Sequence, residues 1–165
     1  MECNREEAIR ARDIAHKLFS KNDYVGAKKF GDKAQRLYPN LDGIQHAVTM
    51  FNVYRSANNK INGKCVPDWY GVLGITALAS CQRTVNTQYR KLALLLHPDK
   101  NECQGAEEGF KILLQAKDIL SDSVERSLYD QTILSEIFLV LLLPDTWNET
   151  GKYSSICPFA SRFHS

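Results

Sequence analysis

No pair of cysteines spaced C-x-x-C occurs in this 165-residue chain, and none of its four histidines stands at zinc-ligand spacing from Cys3, Cys65, Cys81, Cys103 or Cys157. A structural zinc site is therefore not expected, nor is any other metal or cofactor. An odd cysteine count, in a chain that opens Met-Glu-Cys-Asn without a signal-peptide pattern, points to a reducing compartment and so to the cytoplasm or nucleus. Long hydrophobic runs are missing as well. The longest, residues 133–143 (ILSEIFLVLLL), interrupts its apolar character at Glu136 and falls well short of the roughly twenty residues that a membrane span needs. There is no G-x-x-x-x-G-K-[ST] phosphate loop and no nucleophile–base pair, so the chain does not read as an enzyme. Nor does one sign of charge prevail: 21 Lys and Arg face 19 Asp and Glu, for a net charge of +2. That balance argues against nucleic acid or an acidic membrane surface as the main partner.

What the sequence does contain is helical periodicity. Hydrophobic residues make up 44% of it, an ordinary share for one domain or two small ones. In residues 4–20, Ala8, Ala11 or Arg12, Ala15 and Leu18 recur at three- and four-residue steps, which predicts an amphipathic helix with Asn4 as its cap. A break at 20–23 leads to a second predicted helix over 24–38, stopped by Pro39. The third runs over 42–57, with Ile44, Val48, Phe51 and Tyr54 or Arg55 on one side. Residues 1–57 hold ten basic and seven acidic groups, whereas 66–131 hold seven and nine. Between them, residues 58–67 (NNKINGKCVP) are polar and turn-rich and read as a linker. Beyond Gln131 comes the apolar run and then a stretch without helical or strand period, so residues 132–165 read as an irregular, disordered tail.

The second half is more specific. Val85, Tyr89, Leu92 and Leu96 form one apolar face of a helix that Pro98 must stop, because proline lacks an N–H and disfavours helical geometry at His97. Phe110, Leu113, Ala116 and Leu120 form a complementary stripe, and the polar residues 101–105 turn the chain back. An antiparallel helical hairpin follows, with Trp69, Tyr70, Leu73 and Leu128 or Tyr129 closing its ends. His97, Pro98 and Asp99 are then left on a loop between two rigid helices, where function more often than packing decides the residue.

Four segments carry a resemblance: DWYGVLGI at 68–75, QYRKLALLLHPDKN at 88–101, FKILLQAKDILSD at 110–122 and RSLYD at 126–130. Together they resemble the J domain of DnaJ-type co-chaperones over its whole length. The resemblance implies a four-helix J domain (68–131) built on the antiparallel hairpin, and with the three N-terminal helices (1–57) and the linker (58–67) read above, the chain is expected to be all-α. It implies binding to a DnaK-type heat-shock chaperone and stimulation of that chaperone's ATP hydrolysis. Asp99 would form a charge-assisted bond with an arginine of the partner, His97 and Pro98 would fix the loop, and Tyr89, Arg90, Lys91 and Leu94, with Lys100 and Asn101, would dock. Asn86 and Leu95 stand where the family usually has basic residues, Lys117 where it usually has an aromatic, and Gly109 costs its helix of order 1 kcal/mol against alanine. Electrostatic steering toward the chaperone is therefore expected to be weaker than in strongly basic J domains.

The N-terminal residues Ala15, Ala27, Ala34 and Pro39 resemble a tetratricopeptide motif, with Gly31 where that motif wants an aromatic. The alternative is a plain three-helix bundle without a binding groove. Helices of this kind before a J domain resemble a land-plant group of J proteins lacking the zinc region. Those generally continue well past the J domain, which suggests a truncated or alternatively spliced chain here. The rival functional reading is an adaptor whose N-terminal helices bind an unknown protein while the J domain is weak or inactive.

Overall fold

The computed structural model describes residues 2–61, 64–76, 81–97, 99, 101 and 103–142. Among these the chain is all-helical apart from one minimal β-ribbon. Three helices come first, α1 (Glu2–Ser20), α2 (Tyr24–Leu37) and α3 (Ile44–Ala57). The two-residue strands β1 (Lys60–Ile61) and β2 (Lys64–Cys65) follow, and then α4 (Trp69–Leu73), α5 (Gln82–Leu96), α6 (Ala106–Ser121) and α7 (Ser123–Leu142). No helix among the described residues is long and apolar enough to cross a membrane.

Small residues bring α1 and α2 together as expected. Ala8, Ala11 and Ala15 of α1 and Ala27 and Ala34 of α2 are buried. Asp23 caps α2, its carboxylate accepting from the Gly26 N–H at 2.9 Å, which satisfies one of the orphan donors of the first turn. At Gly31 a β-carbon would come within 3.0 Å of the Phe51 ring and 3.2 Å of Val48. The aromatic that the repeat motif wants at position 31 is thus supplied from across the interface, by Phe51 of α3.

Helix α3 is the centre of the molecule. One face, with Val48 and Phe51, covers the α1–α2 hairpin. Its other face meets the second half of the chain: Met50 and Tyr54 approach Gly109 of α6, and the Asn52 amide donates to the Gly71 carbonyl of α4 at 3.3 Å. A single buried cluster therefore runs from Ala15, Ala27, Met50, Phe51 and Val53 into Trp69, Leu73, Val85, Leu96, Leu113 and Leu120. Sequence periodicity showed only the first of these faces.

Residues 58–67 differ from the expected linker. The strands pair antiparallel, Lys60 with Cys65 and Ile61 with Lys64. The Val66 N–H donates to the Asn59 carbonyl at 2.9 Å, and the Asp68 N–H to the Ser56 carbonyl at 2.9 Å. The end of α3 is thereby tied directly to the start of α4, and backbone hydrogen bonding replaces the freedom that the polar composition suggested.

The α5–α6 hairpin forms as predicted, with Val85, Leu96, Leu113, Ala116 and Leu120 buried and Tyr89, Leu92 and Phe110 packed partly buried against them. Tyr129 closes the end, accepting from the Trp69 N–H at 2.9 Å and donating to the Pro67 carbonyl at 2.8 Å. Leu128 does not, being 54% exposed. Helix α7 also corrects the expected boundary of an irregular tail at 132. It continues to Leu142, since neither glycine nor proline interrupts 123–142 and the Asp122 carboxylate caps its start, accepting from the Val124 and Glu125 N–H groups. Leu134 and Phe138 on it are exposed. The rest of the expected tail, 143–165, lies outside the described residues.

Candidate functional site

Helix α5 delivers its last residues to one end of the molecule and stops at Leu96, and His97 leaves the helix with φ −57° and ψ 126°. Proline in the next sequence position dictates that extended geometry. Pro98 itself, like Lys100, lies outside the described residues. The imidazole of His97 is exposed but not loose. Its Nδ1 accepts from the Asp99 N–H at 3.2 Å, and the ring meets Phe110 edge-on, with centroids 6.1 Å apart and planes at 76°. Phe110, expected only as part of the core stripe, is therefore also the support of His97.

Asp99 is exposed, and among the described residues its carboxylate has neither a hydrogen bond nor an ion pair. Asn101, beyond it, is fixed. The Asn101 N–H donates to the His97 carbonyl at 2.9 Å, its amide donates to the Leu95 carbonyl at 3.2 Å, and its side-chain oxygen accepts from the Cys103 N–H at 3.0 Å. Asn101 is only 3% exposed. This corrects its expected place on the docking surface: its side chain is consumed in satisfying the Leu95 carbonyl near the end of α5 and the Cys103 N–H, while its backbone N–H satisfies the His97 carbonyl. At the far end, the Tyr54 hydroxyl donates to the Gly105 carbonyl at 2.9 Å.

Arg90, Lys91 and Leu94 all lie exposed on α5, with Leu94 62% open to solvent. Together with Arg83, also exposed, they give that side of the helix a basic character with one apolar residue near the loop. Tyr89 is half-buried and belongs chiefly to the core. The structure thus brings Arg90, Lys91, Leu94, His97 and Asp99 to one helix and the turn it leads into, with Tyr89 and Asn101 behind them.

Beside the loop, a polar hollow of about 610 Å³ is lined in part by Arg12, His16, Asp42, His46, Asn101 and Gln104. Burial holds the His16 imidazole below its ordinary pKa, as does the nearby Arg12 charge, and its ring stands edge-on to Phe51. No group of three or more His, Cys, Asp or Glu among the described residues could hold a metal ion. The sequence reading placed Tyr54 only on a helix face and Gly105 only in a turn, and missed their contact beside the site. A signal was present in Gly105-x-x-x-Gly109, two glycines one helical turn apart, which marks close approach by another element.

The family described as DnaJ domain matches residues 68–130. Among curated proteins, DnaJ homolog subfamily B member 12 of Bos taurus is 32% identical over 173 residues, covering 79% of this chain and 46% of that protein. DnaJ homolog subfamily B member 14 of Xenopus laevis is 32% identical over 167 residues, covering 80% and 44%. DnaJ homolog subfamily B member 5 of Mus musculus is 50% identical over 64 residues, covering 39% and 18%. The chain spans less than half the length of these relatives. The coverage in the first two exceeds what residues 68–165 alone could supply, so the similarity reaches into the N-terminal helices. These relatives are animal proteins, and the resemblance to a land-plant group finds no support among them. No solved structure matches the chain.

Proposed function

Residues 68–130 of this chain are a DnaJ domain, and from that premise we propose that it is a co-chaperone that binds a DnaK-type heat-shock chaperone and stimulates its ATP hydrolysis. The observation that carries the reading is Asp99, an exposed carboxylate without a partner among the described residues, with His97 and Asn101 on either side of it pinned by hydrogen bonds. A carboxylate so presented suits a charge-assisted, bidentate bond to an arginine. His97 holds the Asp99 backbone in place, while Arg90, Lys91 and Leu94 widen the contact along α5, with Tyr89 beneath them. Pro98 and Lys100 keep their proposed parts, respectively in shaping the loop and in docking. Asn101 acts from behind the surface.

No group here is proposed to cleave ATP. The domain acts by differential binding: it favours the arrangement of the partner in which hydrolysis is fast, and that preference accelerates the partner's own chemistry. The test is single-turnover ATP hydrolysis by a DnaK-type chaperone with the full chain added. Parent protein should accelerate it, and His97→Gln and Asp99→Asn should abolish the acceleration. Because both residues are exposed, stability should change by no more than about 0.5 kcal/mol. Acceleration by Asp99→Asn equal to that by the parent would refute the assignment.

A further inference from the structure

We propose that Tyr54, which precedes the J domain in sequence, is a positioning residue for Asp99, holding the far end of the 97–105 loop so that the carboxylate is presented in one geometry. The proposal rests on the co-chaperone reading above and extends the working site beyond residues 68–130.

The loop is fixed at its near end by α5 and by Asn101. At its far end, Gly105 has φ +92°, a left-handed conformation that favours glycine. A β-carbon there would lie 3.0 Å from the Tyr54 hydroxyl and 3.2 Å from the Phe19 ring. The Gly105 carbonyl receives the Tyr54 hydrogen bond. Tyr54 in turn has a fixed seat. Its ring stands edge-on to Phe19, with centroids 4.8 Å apart and planes at 86°, and lies 5.3 Å from the ring of Tyr24. The loop therefore ends on an aromatic shelf made by α1, α2 and α3.

The α6 backbone also holds this far end, the Gly109 N–H donating to the Gly105 carbonyl at 2.9 Å and the Ala106 N–H to the Cys103 carbonyl at 3.1 Å. Tyr54 adds the tertiary brace. With that brace gone the loop samples more conformations, of which only some present Asp99 correctly. When the competent fraction falls, the apparent affinity of the partner falls by the same factor, while the bound complex is unchanged. Tyr54→Phe removes the hydroxyl and keeps the ring. In the full chain it should raise the concentration giving half-maximal ATPase stimulation by about threefold to tenfold, the population equivalent of one hydrogen bond, with the maximum unaltered. Backbone amides at Asp99, Asn101 and Cys103 should exchange faster, those of α4 and α7 as before. Tyr24→Phe, whose hydroxyl donates to Asn22 rather than to the loop, should behave as the parent.

The two readings fail separately. If Asp99→Asn stimulates like the parent, the co-chaperone reading falls, whatever Tyr54→Phe does. If Asp99→Asn is inactive and Tyr54→Phe keeps both the parent's half-maximal concentration and its loop exchange, the positioning role is overturned. Faster exchange throughout α4, α5 and α6 would also overturn it, by showing a general loosening.

Discussion

The ring of Tyr54 lies over Gly109, its Cε2 3.4 Å from where a β-carbon on that glycine would sit. Gly109 is a departure from the usual J-domain pattern, and its place in a helix carries a propensity cost. Across the interface, that missing side chain makes room for α3. The glycine and the tyrosine key the N-terminal helices to the J domain.

The spacing there predicts opposite outcomes for two substitutions. Gly109→Ala adds one methyl at ordinary van der Waals distance and raises helix propensity, so it should stabilise the protein by about 0.5–1 kcal/mol. Gly109→Leu must displace Tyr54 and should destabilise by about 1–3 kcal/mol. Urea denaturation of both checks the pair, and a stable leucine variant would show that the interface yields.

Asn101→Ala separates a loop brace from a docking residue. Loss of the bonds to the Leu95 carbonyl and the Cys103 N–H removes two part-buried hydrogen bonds, with an expected cost of about 1–3 kcal/mol. An exposed docking residue would cost a fraction of that. Thermal denaturation decides, independently of any chaperone assay.

Asn86 and Leu95 sit half-buried on α5, where the family usually carries positive charge. Asn86→Arg with Leu95→Lys should raise the association rate with the chaperone by about twofold to fivefold at low ionic strength. The gain should vanish as salt shortens the screening length to about 10 Å and below. Stopped-flow binding at two salt concentrations measures both effects.

Burial, with smaller contributions from Glu108 and Tyr24, raises the Tyr54 phenol from 10.0 to about 12, and burial also pushes Tyr129 up. The unfolded chain releases these protons from about pH 10, whereas the folded chain holds them to higher pH. The folded state then binds more protons, so this contribution to stability is complete below pH 10 and is lost as pH rises through 12. Denaturation at stepped alkaline pH should show that decline, less steeply in Tyr54→Phe.

The hairpin of α5 and α6 was legible in the sequence because each helix buries one stripe, and a single stripe has a period. Helix α3 was half legible. Ile44, Val48 and Phe51 announced the face toward α1 and α2, but Ala47, Met50 and Val53 are buried as well, and a helix covered on two sides shows no clean alternation. The same limit hid the clasp at 58–67, whose stability lies in backbone hydrogen bonds that composition does not reveal. Asn101 was misplaced because a polar residue beside His97 and Asp99 looks like part of a surface until the carbonyls it satisfies are located. The exposed cluster of Arg90, Lys91, Leu94, His97 and Asp99 needed no tertiary information beyond the helix that carries it.

Because α3 is shared, a graft of residues 68–130 alone onto another protein would strip Met50, Val53 and Tyr54 from α4 and α6 and leave their apolar contacts open to water. The smallest cassette that can be exchanged without baring that surface begins at Ile44, and a chimera joined at the polar stretch 58–67 would be cut through its own keystone.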